Sequence, residues 1–202
     1  VSGTAKDTTI YQGGLQYVRD GGSATGTTIN DGGKQTVDSG GSATNTAINN
    51  GGTLDVSGGG NATGVQQEEG GALIASTASG TVVKGNNARG EFSIENGQAK
   101  NVLLENGGML FVAGGTSATG TTINDGGEQD VSGTAKDTTI YQGGLQYVRD
   151  GGSATGTTIN DGGKQTVDSG GSATNTAINN GGTLDVSGGG NATGVQQEEG
   201  GA

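Results

Sequence analysis

Hydrophobic and polar residues alternate in short stretches that recur at a nearly constant interval along the chain. One recurring position holds Val, Ile or, once, Ala: Val18, Val37, Val56, Ala75, Ile94, Val112, Val131, Val148, Val167 and Val186. The position two residues earlier holds Gln, Leu or Phe: Gln16, Gln35, Leu54, Leu73, Phe92, Leu110, Gln129, Gln146 and Gln165. Mixed and mostly polar residues separate the two positions, and this period of two predicts a β-strand with one buried face.

A second alternating stretch follows the first in each repeat. Ile or Leu occupies one position and Thr or Val lies two residues before it: Ile10, Ile29, Ile48, Leu104, Ile123 and Ile140, with Thr27, Thr46, Val65, Val102 and Thr121. Each repeat therefore contains at least two short strands, and no segment shows helical periodicity.

Paired glycines give the length of the repeat. The pairs begin at Gly13, Gly32, Gly51, Gly70, Gly107, Gly126, Gly143, Gly162, Gly181 and Gly200, and Arg89 followed by Gly90 takes the place of one pair. The intervals are 19 residues, apart from one of 18 and one of 17. A fixed period in the range of about 20 to 50 residues indicates a solenoid.

The sequence thus predicts an all-β fold, a single parallel β-solenoid over residues 1–202 with about ten rungs of about 19 residues each. We expect an irregular rung at 76–90, a shortened rung at 126–142, and no insertion long enough to wall off a pocket. Glycine, Asn and Asp cluster between the strands, where the chain must bend sharply.

The polar members of the buried columns have two interpretations. Because stacked strands lie about 4.8 Å apart, the Gln column predicts an internal ladder of amide hydrogen bonds. The alternative is that this column lies at a wet corner. Thr27, Thr46 and Thr121 share a column with Val65 and Val102, so we interpret them as partly buried residues of the framework rather than as an ice-binding row.

Composition narrows the possible functions. Gly is 47 of 202 residues and hydrophobic residues are 28%, too few for an ordinary core, so order must come from the repeat. A formal charge of −11 disfavours nucleic acid. Cys and His are absent, which removes thiolate and imidazole metal sites. The apolar run at 109–113 is far shorter than the roughly 20 residues of a membrane span, so we expect no membrane insertion.

Acidic residues raise the question of catalysis, since parallel β-helices can hold carboxylates for polysaccharide cleavage. Asp38, Asp55, Glu68 and Glu69 are the candidates, but no cationic cluster accompanies them and we interpret them as solvated surface. Asp residues precede the paired glycines, unlike the calcium-binding nonapeptide repeat. We therefore expect no enzyme, no metal site and no cofactor.

Residues 131–202 repeat residues 1–72 without a change, which sets a period of 130 residues, or seven rungs. A recent gene duplication and a deliberate assembly are both consistent with this identity. In either case the same surface recurs about 34 Å further along the rod, given a rung spacing of about 4.8 Å. A rod that displays one surface twice favours multivalent contact.

The outward residues supply two sets of candidates. Hydroxyls at glycine-flanked corners are candidate acceptors of O-linked sugar, although turn chemistry also favours them: Ser23, Thr25, Ser42, Thr44, Ser117, Thr119, Ser153 and Ser172. Tyr17, Ile74 and Phe111 are predicted to share one outward column, a weak apolar stripe. The candidates for self-association are Arg19, Lys34, Asp38, Asp55, Tyr17 and Phe111.

The unit GGSATGTTINDGG at 21–33, with its relatives at 40–52 and 114–127, resembles the nineteen-residue repeats of AIDA-type self-associating autotransporter adhesins, the antigen 43 and TibA group. The resemblance implies a right-handed β-helical passenger displayed on a Gram-negative cell and anchored in the outer membrane by a translocator. It implies cell aggregation, biofilm formation and attachment to an unknown host receptor or glycan. It also implies O-heptosylation of Ser and Thr by a dedicated heptosyltransferase.

On this basis we expect the sequence to be a fragment of a longer passenger whose main partner is the same protein on a neighbouring cell. The expected contact is a lateral, antiparallel pairing of rods through hydrogen bonds and opposite charges. In it, Arg19, Lys34, Lys84, Arg89 and Lys100 would meet carboxylates of the partner. The alternatives are an acceptor substrate for a glycosyltransferase and, third, a polysaccharide-cleaving β-helix.

Overall fold

Each turn of the chain forms up to three short strands, and most strands pair in parallel with their counterparts one turn earlier and later. The structure is a computed structural model that describes residues 1–202. It confirms the predicted β-solenoid of about ten turns with about 19 residues per turn. None of its elements is a helix of the length and hydrophobicity needed to cross a membrane.

The strands line three faces of the solenoid. The long-strand face is a nine-stranded parallel sheet: β3 (Leu15–Val18), β6 (Lys34–Val37), β9 (Thr53–Val56), β11 (Ala72–Ser76), β16 (Met109–Val112), β19 (Glu128–Val131), β22 (Leu145–Val148), β25 (Lys164–Val167) and β28 (Thr183–Val186).

The hydroxyl face follows the long-strand face in each turn, and five of its twelve strands have the sequence Ser-Ala-Thr. It comprises β1 (Thr4–Lys6), β4 (Ser23–Thr25), β7 (Ser42–Thr44), β10 (Asn61–Gln67), β12 (Val82–Asn87), β13 (Gly90–Glu95), β14 (Gln98–Lys100), β17 (Ser117–Thr119), β20 (Thr134–Lys136), β23 (Ser153–Thr155), β26 (Ser172–Thr174) and β29 (Asn191–Thr193).

The third face, the short-strand face, completes the turn with two-residue strands. They are β2 (Thr9–Ile10), β5 (Thr28–Ile29), β8 (Ala47–Ile48), β15 (Leu103–Leu104), β18 (Thr122–Ile123), β21 (Thr139–Ile140), β24 (Thr158–Ile159), β27 (Ala177–Ile178) and β30 (Gln196–Gln197). Strand β10 is long enough to pair with β7 on the hydroxyl face and with β8 on this one.

The interior is a stack of equivalent side chains. Val18 stands opposite Val37 and Ile10 opposite Ile29, and the middle Ala of each Ser-Ala-Thr strand also points inward. These residues form one hydrophobic cluster of 32 members. Because every rung adds the same small contribution, a sequence with few large apolar residues can still build a continuous dry core.

The Gln column is a buried hydrogen-bond ladder, as predicted, and the wet-corner alternative is wrong. Gln35 donates from Nε2 to Oε1 of Gln16 at 2.6 Å, and Thr46 donates from Oγ1 to Oε1 of Gln35 at 2.9 Å. The same arrangement joins Gln129, Gln146 and Gln165 with the threonines beside them. Gln35 and Gln165 are fully buried, so the ladder satisfies polar groups that no water reaches.

The two polar columns change together where the first ladder ends, whereas Thr121, whose own rung has Leu110, accepts from Gln129 in the next rung at 3.0 Å. Thr46 ends the first ladder by donating to Gln35, and in the next rung Leu54 replaces Gln while Val65 replaces Thr. Both replacements are fully buried. A hydroxyl therefore enters this part of the core beside an amide that can pair with it, as expected from the cost of an unpaired buried polar group.

Residues 82–100 depart from the solenoid. Strand β12 pairs with β10 in parallel, but β13 runs antiparallel to both β12 and β14 before β14 resumes the parallel order with β17. We call the segment 82–100 the insert. Its second turn is Asn96-Gly97, both with positive φ, as a type I′ hairpin turn requires.

The insert overturns several predictions about the strands. Phe92 and Ile94 lie in β13 and not in the columns of the long-strand face, and Gly90 begins that strand instead of marking a corner. The irregular segment also extends past residue 90. Strand β16 pairs directly with β11, displaced by two residues so that Leu110 stands opposite Ala75. On the long-strand face six rungs, not the expected seven, therefore separate β3 from its copy β22. On the short-strand face, Gln67 bridges to the carbonyl of Leu103 at 3.2 Å through its side chain.

Candidate functional site

The hydroxyl face carries the candidate sugar acceptors, but not at corners. Ser23 and Thr25 are the ends of β4, and Ser42, Ser117, Ser153 and Ser172 begin the equivalent strands. The prediction of corner positions is therefore wrong, because the glycines before these strands, and the Gly or Asn after them, form the corners and the hydroxyl residues form the strand between them.

In each of these strands the Ser and the Thr point outward on both sides of a buried Ala. The register places Ser23 beside Ser42 and Thr25 beside Thr44. Two parallel rows of hydroxyl-bearing side chains therefore run along this face, with neighbours about 4.8 Å apart. The insert divides the rows, since Lys84 and Lys100 occupy the Thr positions there and Val82 and Gln98 occupy the Ser positions.

All six self-association candidates lie on the long-strand face or at its edge. Lys34 pairs with Asp55 at 2.8 Å, and Asp38 accepts a hydrogen bond from Ser57 at 3.3 Å. Arg19 lies 3.6 Å from Asp20, in an exposed pair. These charged groups are thus partnered within the chain, and their use in a contact between rods stays a prediction.

The predicted column of Tyr17, Ile74 and Phe111 is wrong. Tyr17 and Ile74 share an outward column, but Thr36 and Asp55 lie between them. The two-residue displacement of β16 then places Met109, not Phe111, beside Ile74. Ile74, Met109 and Phe111 form a local patch at β11 and β16, and Tyr17 lies apart from it on β3.

Charge is unevenly distributed around the rod. We call the long-strand face together with the corners at its two edges the acidic side. It carries sixteen of the twenty carboxylates and four of the nine cations, a formal charge of −12, whereas the rest of the chain carries +1. Among the lysines on the hydroxyl face, Lys6, Lys100 and Lys136 make no ion pair within the chain.

One ion pair on the acidic side joins two adjacent rungs. Arg149 donates from Nε to Oδ1 of Asp130 at 3.0 Å, and a second bond joins Nη2 to Oδ2. This side-chain hydrogen bond, helped by the Coulomb attraction of Asp130, raises the pKa of Arg149. The guanidinium and the carboxylate form a bidentate pair, the geometry in which Arg is most effective.

The carboxylates considered for catalysis lie on different elements of neighbouring rungs. Asp55 faces outward on β9, Asp38 follows β6, and Glu68 and Glu69 lie at a corner after β10. No three Asp or Glu side chains are placed to hold one metal ion.

The insert forms a groove that the sequence did not predict. Strands β12, β13 and β14 present Lys84, Asn86, Glu91, Ser93 and Lys100 around a cavity of about 460 Å³, with Gly64 and Gly85 also in its lining. The expectation of no pocket-forming insertion was therefore wrong. Asn96-Gly97, a common hairpin dipeptide between two alternating stretches, was the available signal.

Comparison with known proteins identifies a family whose model matches most of the chain. The family model described as "Adhesin of bacterial autotransporter system, probable stalk" matches residues 29–71, 84–144 and 150–201. Curated relatives match shorter stretches, among them the following three. The chain is 53% identical over 62 residues to the probable autotransporter YpjA of Escherichia coli K12, which is 30% of this chain and 4% of that protein.

The other two relatives are also autotransporters. Autotransporter CRAC of Citrobacter rodentium is 58% identical over 50 residues, 25% of this chain and 3% of the relative. The autotransporter adhesin/invasin TibA of E. coli O78:H11 is 46% identical over 55 residues, 27% of this chain and 6% of the relative. The matches thus span a small part of each relative.

A solved structure resembles nearly the whole chain. It is a TibA fragment hyper-glycosylated by TibC, with 42% sequence identity and a TM-score of 0.56. The similarity covers 99% of this chain and 81% of that fragment.

Proposed function

This chain belongs to the AIDA family of bacterial autotransporter adhesins, and we propose that it is a surface-displayed stalk segment through which cells adhere to one another and to host cells. In this proposal it is part of a longer passenger, anchored in the outer membrane by a translocator, and it catalyses no reaction. The observation that carries the proposal is the rod itself: it has two chemically different sides, and both recur along its length because residues 131–202 repeat residues 1–72.

The charge distribution suggests how two rods meet. If two acidic sides faced each other, each with a formal charge of −12, they would repel. The acidic side of one rod and the hydroxyl face of another are better matched. Lys6 and Lys136 on that face have no partner within the chain, and the hydroxyl rows offer hydrogen bonds to carboxylates.

The test uses a surface-displayed passenger that contains this segment, with settling of the cells as the readout. Deletion of residues 1–202 should slow settling, and Lys6→Glu with Lys136→Glu should slow it while leaving surface display unchanged. Thr9→Glu with Thr139→Glu is the control, because these two copies lie on the short-strand face, outside both contacting surfaces, and the cells should then settle as the unaltered ones do. Clumping that is indifferent to the deletion would refute the adhesive role.

Varying the salt concentration separates the contribution of ion pairs to the contact from that of hydrogen bonds. Ion pairs between exposed charges weaken over a screening length of about 8 Å at physiological ionic strength. Aggregation that weakens as salt rises supports the lysine contacts. Aggregation that strengthens indicates that hydrogen bonds dominate and that the residual negative charge of the rods opposes association.

A second function is favoured by the outward hydroxyl rows, in which Ser and Thr stand in register over successive rungs. The solved TibA fragment was hyper-glycosylated by TibC. By analogy, Ser23, Thr25 and their equivalents are acceptors for a dedicated heptosyltransferase. Intact mass of the chain made with and without the transferase tests this, and an unshifted mass would exclude it.

A further inference from the structure

The groove of the insert differs from the rest of the surface because it breaks the repeat. Ser93 on β13 stands opposite Lys84 on β12 and opposite Lys100 on β14, so the three side chains form one row across the sheet. Beside this row, Asn86 stands opposite Glu91. Cations, a hydroxyl, an amide and a carboxylate therefore border one cavity of about 460 Å³, a volume typical of small-ligand sites.

The two lysines in this row are not equivalent. Lys84 is held by Glu95, with Nζ 2.7 Å from Oε2. Lys100 is exposed and forms no ion pair, and Glu91 also has no cationic partner. The groove thus offers one free cation together with several hydrogen-bonding groups.

Two glycines of the lining are required by close packing against residues outside the groove. A Cβ on Gly85 would lie 2.0 Å from the carbonyl oxygen of Val65, and a Cβ on Gly64 would lie 2.4 Å from Oδ1 of Asn45. Phe92 is the one hydrophobic residue in the lining, and it is 3% exposed. The groove therefore has a polar lining and lacks an aromatic surface on which a ligand ring could stack.

We propose that this groove binds an acidic saccharide, a uronic or sialic acid unit of a surface glycan. Lys100 pairs with the carboxylate of the sugar, while Asn86, Ser93 and Glu91 exchange hydrogen bonds with its hydroxyl groups. A neutral sugar would leave Lys100 without a partner and would find no stacking surface, so it should bind more weakly.

The net charge of the chain does not prevent this. Residues 82–101 contain three cations and two carboxylates, whereas the chain as a whole carries −11. With a screening length of about 8 Å, carboxylates on the far side of the rod contribute little at the groove.

The inference rests on the adhesive function proposed above. The two can nevertheless be tested separately, because the isolated chain can fail to bind a saccharide while cells still aggregate, and cells can fail to aggregate while the chain still binds.

The experiment is an NMR titration of the chain with glucuronic acid and, separately, with N-acetylneuraminic acid. Backbone signals of residues 84–101 should shift, and glucose should produce much smaller shifts at the same concentration. Lys100→Gln should weaken binding by about tenfold, as expected for the loss of one charge-assisted hydrogen bond.

Lys6→Gln is the matched control, since Lys6 lies on the same face, makes no ion pair and is outside the groove. It should bind both sugars as the unaltered chain does. Unshifted signals, equal binding of glucose, or an equal loss in the two variants would each overturn the proposal. So would shifts at 84–101 that depend on protein concentration alone, because they would identify a second copy as the occupant.

Discussion

Gln165 donates a hydrogen bond of 2.6 Å from Nε2 to Oε1 of Gln146, one rung earlier, and both side chains are almost fully buried. Gln165 also accepts from Thr176 at 3.1 Å, and the next member of its column is Leu184. Gln165 is therefore the last amide of its ladder. Substitutions at this position can therefore separate the cost of leaving the buried hydroxyl of Thr176 unpaired from the stability contributed by the ladder.

The first prediction concerns this ladder end. Gln165→Leu should lower the free energy of unfolding by about 2 kcal/mol, because it leaves the buried hydroxyl of Thr176 without its acceptor and removes donors to Gln146 and Thr157. Adding Thr176→Val should recover part of the loss, since the pair then repeats the natural combination of Leu54 and Val65. Urea unfolding measures both. A double variant no more stable than the single one would show that polar pairing does not govern the two columns.

The second prediction concerns a corner at which Asp or Asn alternates with Gly from rung to rung. Asp137 has a φ of 52°, and a Cβ on Gly156 in the next rung would lie 2.7 Å from its Oδ1. The Asp side chain thus occupies the space above the glycine. Gly156→Asn should destabilise the chain by about 1–3 kcal/mol through this collision, although Asn tolerates positive φ.

Gly151→Asn is its control, because Gly151 has a φ of 81° and nothing lies within 4 Å of its Cβ position. The control should change stability by no more than about 0.5 kcal/mol. Equal losses in thermal or urea unfolding would mean that backbone conformation, and not the neighbouring rung, requires the glycine.

These contacts show what the sequence could predict. A buried strand residue repeats every rung, so Val18 and Val37, or Gln16 and Gln35, identify the columns without a structure. Phe92 and Ile94 misled the same reasoning, because they alternate with polar residues in an antiparallel strand as they would in a parallel one. The interval from Arg89 to Gly107 also matched a rung. Period and alternation do not encode strand direction, so the sequence could not predict that β13 runs antiparallel or that the insert forms a groove.

The third prediction uses the duplicated tyrosines Tyr11 and Tyr141. Tyr11 is 68% exposed and Tyr141 is 37% exposed, although their sequence surroundings are the same from residue 1 and from residue 131 onward. The guanidinium carbon of Arg89, in the turn between β12 and β13, lies 5.7 Å from the centre of the Tyr141 ring. This cation–π contact holds the insert against a later rung.

Arg89→Ala should therefore increase the rate of Tyr141 nitration towards that of Tyr11, and Arg89→Lys should have a smaller effect because the cation remains. Trypsin gives the same peptide for both tyrosines, because residues 7–19 and 137–149 are identical. The mapping therefore uses cleavage after Glu, which leaves Tyr141 on a peptide that begins at Gln129 and Tyr11 on one that begins at Val1. Tyr11 serves as the internal reference. If the rate at Tyr141 were unchanged in Arg89→Ala, the contact would not account for its protection.

The fourth prediction also uses the duplication, since Arg19 and Arg149 are copies with different neighbours. Arg149 forms the bidentate pair with Asp130, which is only 8% exposed. Arg19, in contrast, pairs only with the exposed Asp20, at 3.6 Å. Arg149→Ala leaves a nearly buried carboxylate unpaired and should cost about 1–2 kcal/mol of unfolding free energy, while Arg19→Ala should cost about 0–0.5 kcal/mol.

The pH dependence of this pair follows from its pKa. The hydrogen bond raises the pKa of Arg149, so the pair stabilises the fold fully below the ordinary pKa of Arg and its contribution should not change from pH 6 to 9. The free energy of unfolding of both variants is measured in urea at these two pH values. A difference between the variants that disappeared at either pH, or a larger loss for Arg19→Ala, would show that the Asp130 contact does not stabilise the rod.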